Sequence, residues 1–244
     1  MVDPKKVLPS VENLTGADYH ALSESQREAG DFESAVASSQ KASDEYFKEG
    51  NFVKASEALA SQMLSYRHLY EQTGDDVYKI SALESIEKAV SILKNSGGKN
   101  GMGILLYNQA KYCQTDGDYN ASISFMRDAL AAFKNAPEDI MNTASQIAEI
   151  STRLAAYEFG LGDDEAYARF EKSLEELKDN PNPDEYTQGV WLSGAFMHMA
   201  EGSLMRHEID KAQEFIEKAE KVIAEDTRYN IRREQIEKLK IKAK

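Results

Sequence analysis

The stretch from Ile104 to Leu130, ILLYNQAKYCQTDGDYNASISFMRDAL, constrains the fold more than any other. Leu106, Gln109, Ala110 and Cys113 recur at steps of three and four before Gly117. Tyr119, Ser122, Ile123, Met126, Ala129 and Leu130 do the same after it. A period near 3.6 on both sides of a glycine predicts two short amphipathic helices joined by a turn. The small residues Ala110, Ser122 and Ala129 fall where the two helices must approach closely, and Tyr112, Tyr119 and Phe125 fill the spaces between. A pair this short cannot bury its apolar face alone and must stack on others like it.

The same grammar runs along the chain. A helix is expected from near Thr15 or Asp18 to Gly30, a second from Phe32 past Phe47, and a third from Val53 to about Gln72, ended by Gly74. The turns at Gly30-Asp31-Phe32 and Gly50-Asn51-Phe52 lie 20 residues apart, so one helix serves two pairs. Val77 to Lys94 continues the series, with Ala82, Ile86 and Ala89 in a small–large–small spacing that Ala212, Ile216 and Ala219 repeat. Asn95 to Gly103 (NSGGKNGMG) reads as a connector. Its Gly98-Lys99 is not a phosphate loop, because Leu93 and Asn100 stand where that motif needs a glycine and a hydroxyl. Further pairs are expected from Ile140 or Thr143 to Phe159 with Ala166–Leu174, separated by the turn Gly160–Asp163, and over Tyr186–Met205 with Ile209–Ala224. His207 stands in the second of these turns where a glycine is usual.

In residue order and spacing the chain resembles a tetratricopeptide repeat, most strongly at 104–130 and 209–222. Successive small residues of the second helices, Ala89, Ala129, Ser173 and Ala219, are 40, 44 and 46 apart, longer than the usual family period of about 34. Vesicle-fusion adaptors and kinesin light chains have comparable long periods. The resemblance implies an all-α fold: a right-handed α-α superhelix of ten to eleven antiparallel helices. Three regions are expected: a loosely ordered leader over 1–15, a helical array over 16–226 and a capping helix over 227–244.

Composition narrows the function. The net charge of −13 argues against general affinity for nucleic acid or anionic lipid, both polyanions. No run approaches the roughly 20 apolar residues that a spanning helix needs, so no membrane insertion is expected. The N-terminus has no apolar block of the secretory kind, and the single cysteine, Cys113, permits no internal disulfide. The expected location is cytoplasmic. Cys113 lies on the helical core pattern and is expected to be buried. Trp191, near Gly189 and Gly194, reads as core or as an interface anchor. His20, His68, His198 and His207 form no close ligand pair with each other or with Cys113, so no metal is expected. No nucleophile elbow, kinase or dinucleotide motif is present, and neither an enzyme nor a cofactor is expected.

In the family, the first helix of each pair lines a concave groove. The positions so implied are His68 with Leu64 and Ser65, then Tyr107, Asn108, Lys111 and Gln114, then Arg153 with Glu149 and Thr152, then Met197 and His198 with Glu201. They are expected to be exposed. Some members clamp a peptide's terminal carboxylate there. Asn108 and Arg153 match that pattern, but Glu149 replaces an attractive lysine, which speaks against chaperone tails. Arg153 then either binds another carboxylate or pairs with a nearby glutamate.

The expected function is a non-enzymatic scaffold that binds a peptide or helix of a protein partner, as monomer or homodimer. The candidate contacts are His68, Tyr107, Asn108, Lys111, Arg153, Met197 and His198. The alternatives are an oligomerisation module, a vesicle-fusion-adaptor-like protein, and a sensor of a signal peptide or small ligand. The tail from Asp226 carries a net +4 against −17 for the rest, which suits either a cap on an acidic body or a docking element.

Overall fold

Thr15 opens the first helix as a capping box: its hydroxyl accepts from the Asp18 amide at 3.2 Å, and the Asp18 carboxylate accepts from the Thr15 amide at 2.9 Å. The computed structural model describes residues 14–224 and 226–244, so the expected leader lies almost wholly outside the described residues. Every regular element among those residues is a helix. In order they are α1 Gly16–Glu28, α2 Phe32–Lys48, α3 Phe52–Thr73, α4 Asp76–Asn95, α5 Met102–Thr115, α6 Tyr119–Asn135, α7 Ala144–Gly160, α8 Ala166–Asp179, α9 Glu185–Met205, α10 Ile209–Ile223 and α11 Asn230–Lys242. The structure thus has the all-α architecture and the helix number expected.

The repeated glycine–polar–aromatic triplet has a physical explanation. Gly30, Gly50 and Gly117 take positive φ, the left-handed conformation that ends a helix without a Cβ clash. The next residue, Asp31, Asn51 or Asp118, turns its side chain back to accept from an amide of the following helix. The aromatic that follows is the first helical residue. His207 holds the same left-handed position at φ 61° before α10, where Glu208 makes no side-chain cap. Turns of this length force neighbouring helices antiparallel.

The chain divides into two compact units, one ending at Gly101 and the other running Met102–Lys244. In the first, α1 to α4 pack in sequence around Ala42, Ala55, Ala58, Leu59, Met63, Ile86 and Ala89. Gln62 on α3 ties it to both neighbours: it donates to the Val36 carbonyl at 3.3 Å and to Gln40 at 3.2 Å, and accepts from Ser85 at 3.0 Å. Ser23 and Ser39 bond at 2.7 Å between α1 and α2, both fully buried.

The second unit stacks α5 with α6, α7 with α8 and α9 with α10, and α11 packs on α9 and α10. Within the opening pair, the buried Ser122 hydroxyl donates to the Ala110 carbonyl at 2.9 Å, which is the close approach that the small residues imply. Gly160, expected in a turn, is instead the last residue of α7. It presses on α9, where a Cβ would lie 2.9 Å from the Gly202 Cα. Cys113 is half-buried rather than in the core, and its surroundings push the thiol pKa up, chiefly through desolvation. Trp191 is also half-buried and packs against the apolar cluster of α7 to α11.

Candidate functional site

The first helices of the three pairs in the second unit carry a polar layer. Tyr107 on α5 donates its hydroxyl to Glu149 on α7. The same carboxylate accepts from Arg153, one turn further along α7, at 3.3 Å, and from Gln146 at 3.2 Å. Of the two alternatives for Arg153, the structure shows pairing with a glutamate. Its other guanidinium arm donates to Gln114 of α5 at 3.4 Å. Gln114 in turn donates to Glu201 of α9 at 3.2 Å. One side chain of α5 therefore touches both α7 and α9.

Glu201 is held from α7 as well. The Tyr157 hydroxyl donates to it at 2.8 Å and also lies 2.8 Å from His198 Nδ1, which is 3.3 Å from Glu201. A hydroxyl has one proton to give, and a carboxylate has none. Tyr157 gives its proton to Glu201, so His198 Nδ1 is the N–H that faces them both. His198 Nε2 is then a bare acceptor.

Burial sets the ionisation of these groups. Desolvation pushes Tyr107 and Tyr157 well above the usual tyrosine range. It also pushes Tyr119, whose ring centre lies 5.1 Å from that of Tyr157 at a tilt of 54°, up to about 12. Desolvation and the nearby Arg153 charge lower His198 to about 4. Burial alone would raise Glu201, but the His198 and Tyr157 hydrogen bonds outweigh it and hold the carboxyl below its ordinary value.

The expected site residues divide as follows. Tyr107, Arg153 and His198 come together in this layer and Asn108 follows Tyr107 on α5, but Tyr107 is 0 % and the other three 6 % exposed, not open to solvent. Lys111 joins them, with its ammonium 4.2 Å from the centre of the Tyr107 ring. Met197 is 4 % exposed and belongs to the apolar cluster. His68 lies in the other unit, stacked on Phe32 at 4.9 Å and bonded to Glu71 at 3.1 Å. The exposure expected of these positions is therefore corrected. Period counting marks a face as free of its own partner helix, but the next pair can still cover it.

Four buried atoms on these three helices have no hydrogen-bond partner among the described residues: Asn108 Oδ1 on α5, Arg153 Nε on α7, and His198 Nε2 and Ser203 Oγ on α9. Arg232 of α11 is a residue that the sequence did not single out. Its guanidinium lies over Gly194, 3.5 Å from where a Cβ would be, and His198 Nε2 is 3.9 Å from the same point. The charge pattern of the tail pointed to α11, but nothing in it marks which arginine turns inward.

A concavity of about 240 Å³ opens between α7 and α8 beside Ser151, Leu154 and Ser173. Its buried charge is already matched, because Glu158 accepts from Arg127 at 2.6 Å and from Arg169 at 2.8 Å. It offers a ligand less unmet polar capacity than the layer on α5, α7 and α9. No group of metal-binding side chains occurs among the described residues, and no described helix is long and apolar enough to cross a membrane.

The helix pairs, with their small–large–small contacts and glycine turns, define a tetratricopeptide-like architecture. No protein-family model and no curated protein matches the chain. Among solved structures it is similar to the TPR2AB domain of yeast Sti1, solved as a complex with pHSP90. That match has 14% identity, covers 93% of this chain and 98% of the other, and has a TM-score of 0.38.

Proposed function

We propose that this protein is a non-enzymatic interaction scaffold and that an extended segment of a partner polypeptide binds across α5, α7 and α9. The observation that carries this reading is that Asn108 Oδ1, Arg153 Nε and His198 Nε2, on α5, α7 and α9, are buried without hydrogen-bond partners among the described residues. A buried unpaired polar atom costs about 1–3 kcal/mol, so these helices carry polar capacity that an outside group would meet. A peptide backbone supplies both N–H donors and carbonyl acceptors at regular intervals. The layer is pre-organised, because Gln114, Glu149 and Glu201 hold it from all three helices, so little ordering entropy is lost on binding.

The ionisation directions speak against acid–base catalysis. A general acid or base works with a pKa near the operating pH. Here the tyrosines are pushed up, and His198 and Glu201 are held down. Each group therefore keeps a single protonation state near neutrality.

Asn108→Ala tests the reading. Its Oδ1 has no intramolecular partner, so removing it is expected to leave the melting temperature unchanged or slightly raised. Recovery of peptides from a display library, or of a partner from native extract, is expected to fall. Equal recovery by the wild type and this variant would reject the site.

A further inference from the structure

We infer that this chain pairs with a second copy of itself, and that Ile140 of each copy fills the cavity between α7 and α8 of the other. Ile140 and the cavity both belong to the second compact unit. Ile140 is the knob. It lies in the connection between α6 and α7 and is 72 % exposed. A lone exposed isoleucine is ordinary on a protein surface. This one is held outward by its neighbours. Asp139 before it is buried, and its amide donates to the Ala136 carbonyl at 3.1 Å. The Met141 amide after it donates to the Asp139 carboxylate at 3.0 Å, and the Met141 side chain packs on the apolar cluster of α5, α6 and α7. Asn142 closes the loop, donating from Nδ2 to the Phe133 carbonyl at 3.1 Å and the Ala136 carbonyl at 3.3 Å. A loop tied on both sides of an apolar residue loses little ordering entropy when that residue binds.

The cavity is the hole. Leu154 and Ala155 of α7 and Ser173 of α8 line it, and its volume is about 240 Å³. An apolar cavity of about 150 Å³ takes a benzene, so this one takes the four carbons of an isoleucine side chain. Glu158, the buried acid at its wall, is already matched by Arg127 and Arg169. An apolar group that enters therefore strands no charge.

Charge complementarity selects a second copy as the occupant. Lys172 stands on the rim with its side chain 79 % exposed, and it reaches Glu176 only at 3.7 Å, a weak surface pair. Glu138, two residues before Ile140, is exposed. An Ile140 seated in the cavity of another copy thus carries a carboxylate to a cationic rim. The arrangement can also close on itself. Leu154 stands roughly 15 Å along α7 from Ala144, where the helix begins after the Ile140 loop. A twofold axis that sets the two α7 helices antiparallel brings each knob to the opposite hole, which is the reciprocal form of a closed dimer. The polar layer on α5, α7 and α9 takes no part, so the pairing stands apart from the scaffold reading.

Sedimentation equilibrium of the full chain tests it, run over about 1 µM to 1 mM at about 0.15 M salt, where the −13 on each copy is screened beyond about 8 Å. The mass is expected to rise from one chain to two. Ile140→Asp should raise the dissociation constant at least about tenfold and leave the melting temperature of the single chain unchanged, because the side chain is exposed there. Glu138→Lys and Lys172→Glu should each weaken self-pairing about three- to tenfold, because each sets like charges together. Mixed one to one, these two variants should pair with each other as tightly as the wild type pairs with itself, because both contacts regain opposite charges. A single chain at every concentration, a dimer indifferent to Ile140→Asp, or charge variants that fail to rescue one another overturns the inference. Growth beyond two chains overturns the reciprocal pairing.

Discussion

At the residue scale, the polar layer shows how one side chain serves both stability and recognition. Arg153 is 6 % exposed, bonded to Glu149 and Gln114, and 5.2 Å from the Tyr107 ring centre, yet its Nε has no partner. Arg153→Ala would leave the Glu149 charge buried with fewer partners. Removing one partner of a buried pair costs about 3–5 kcal/mol, roughly a 10 °C fall in melting temperature for a unit of this size. Glu149→Gln combined with Arg153→Met should recover much of that, because no charge is then left alone. A melting temperature for Arg153→Ala equal to wild type would contradict the pairing. Asn108 is the opposite case, and the contrast separates groups that hold the layer from groups that await a ligand. The sequence singled out Tyr107, Asn108, Lys111, Arg153 and His198 through its resemblance to a family whose first helices line one face of the array. It could not rank them, because their roles depend on which atoms of the next pair arrive opposite.

At the element scale, helix identity and boundaries follow from local chemistry, and helix approach follows from glycine. Gly160 and Gly202 meet where α7 crosses α9. A Cβ on Gly202 would collide with the Ala156 carbonyl oxygen and lie 3.5 Å from the Gly160 amide nitrogen. Two effects of opposite sign compete in Gly202→Ala. Helix propensity favours alanine by about 1 kcal/mol. Overpacking costs about 1–3 kcal/mol, and here the obstacle is backbone, which cannot rotate aside. A net loss of about 1–2 kcal/mol is expected, read as a lower urea midpoint with unchanged slope. A higher midpoint would show that the helices are not in contact there. Gly189 is a milder case, because its nearest neighbour is the far end of the Tyr229 side chain, which can move. The approach at Gly160 and Gly202 was not legible in the sequence, where Gly160 reads as turn and nothing marks Gly202.

At the scale of the whole molecule, burial of histidine makes stability depend on pH. His20, His68 and His198 all have lowered pKa values, each chiefly through desolvation, and His198 falls to about 4. The groups facing His198 are Arg153 and Tyr157 of α7, Glu201 of α9 and Arg232 of α11. When the chain unfolds, these histidines regain ordinary values and take up protons that the folded state refuses. Their contribution is therefore complete above about pH 6.5 and drains as the pH falls toward 4, on the order of 3 kcal/mol from His198 alone. Below that, the depressed Glu201 continues the loss in the same direction. Urea midpoints measured from pH 7.5 to 4.5 should decline steadily. A flat profile would mean that His198 is not buried as a neutral ring. The sequence by itself determined the helices, their turns and their pairing, because period, caps and glycine punctuation act within a few residues of chain. It also offered most of the candidate positions, through the family resemblance that puts the first helix of each pair on one side of the array. Only the tertiary structure decided that these positions are buried, that Glu149 and Glu201 are engaged, that polar atoms on three helices lack partners, and that Arg232 comes beside Gly194 and His198. Those facts depend on which helices meet across long stretches of sequence, and that is settled by packing rather than by local pattern.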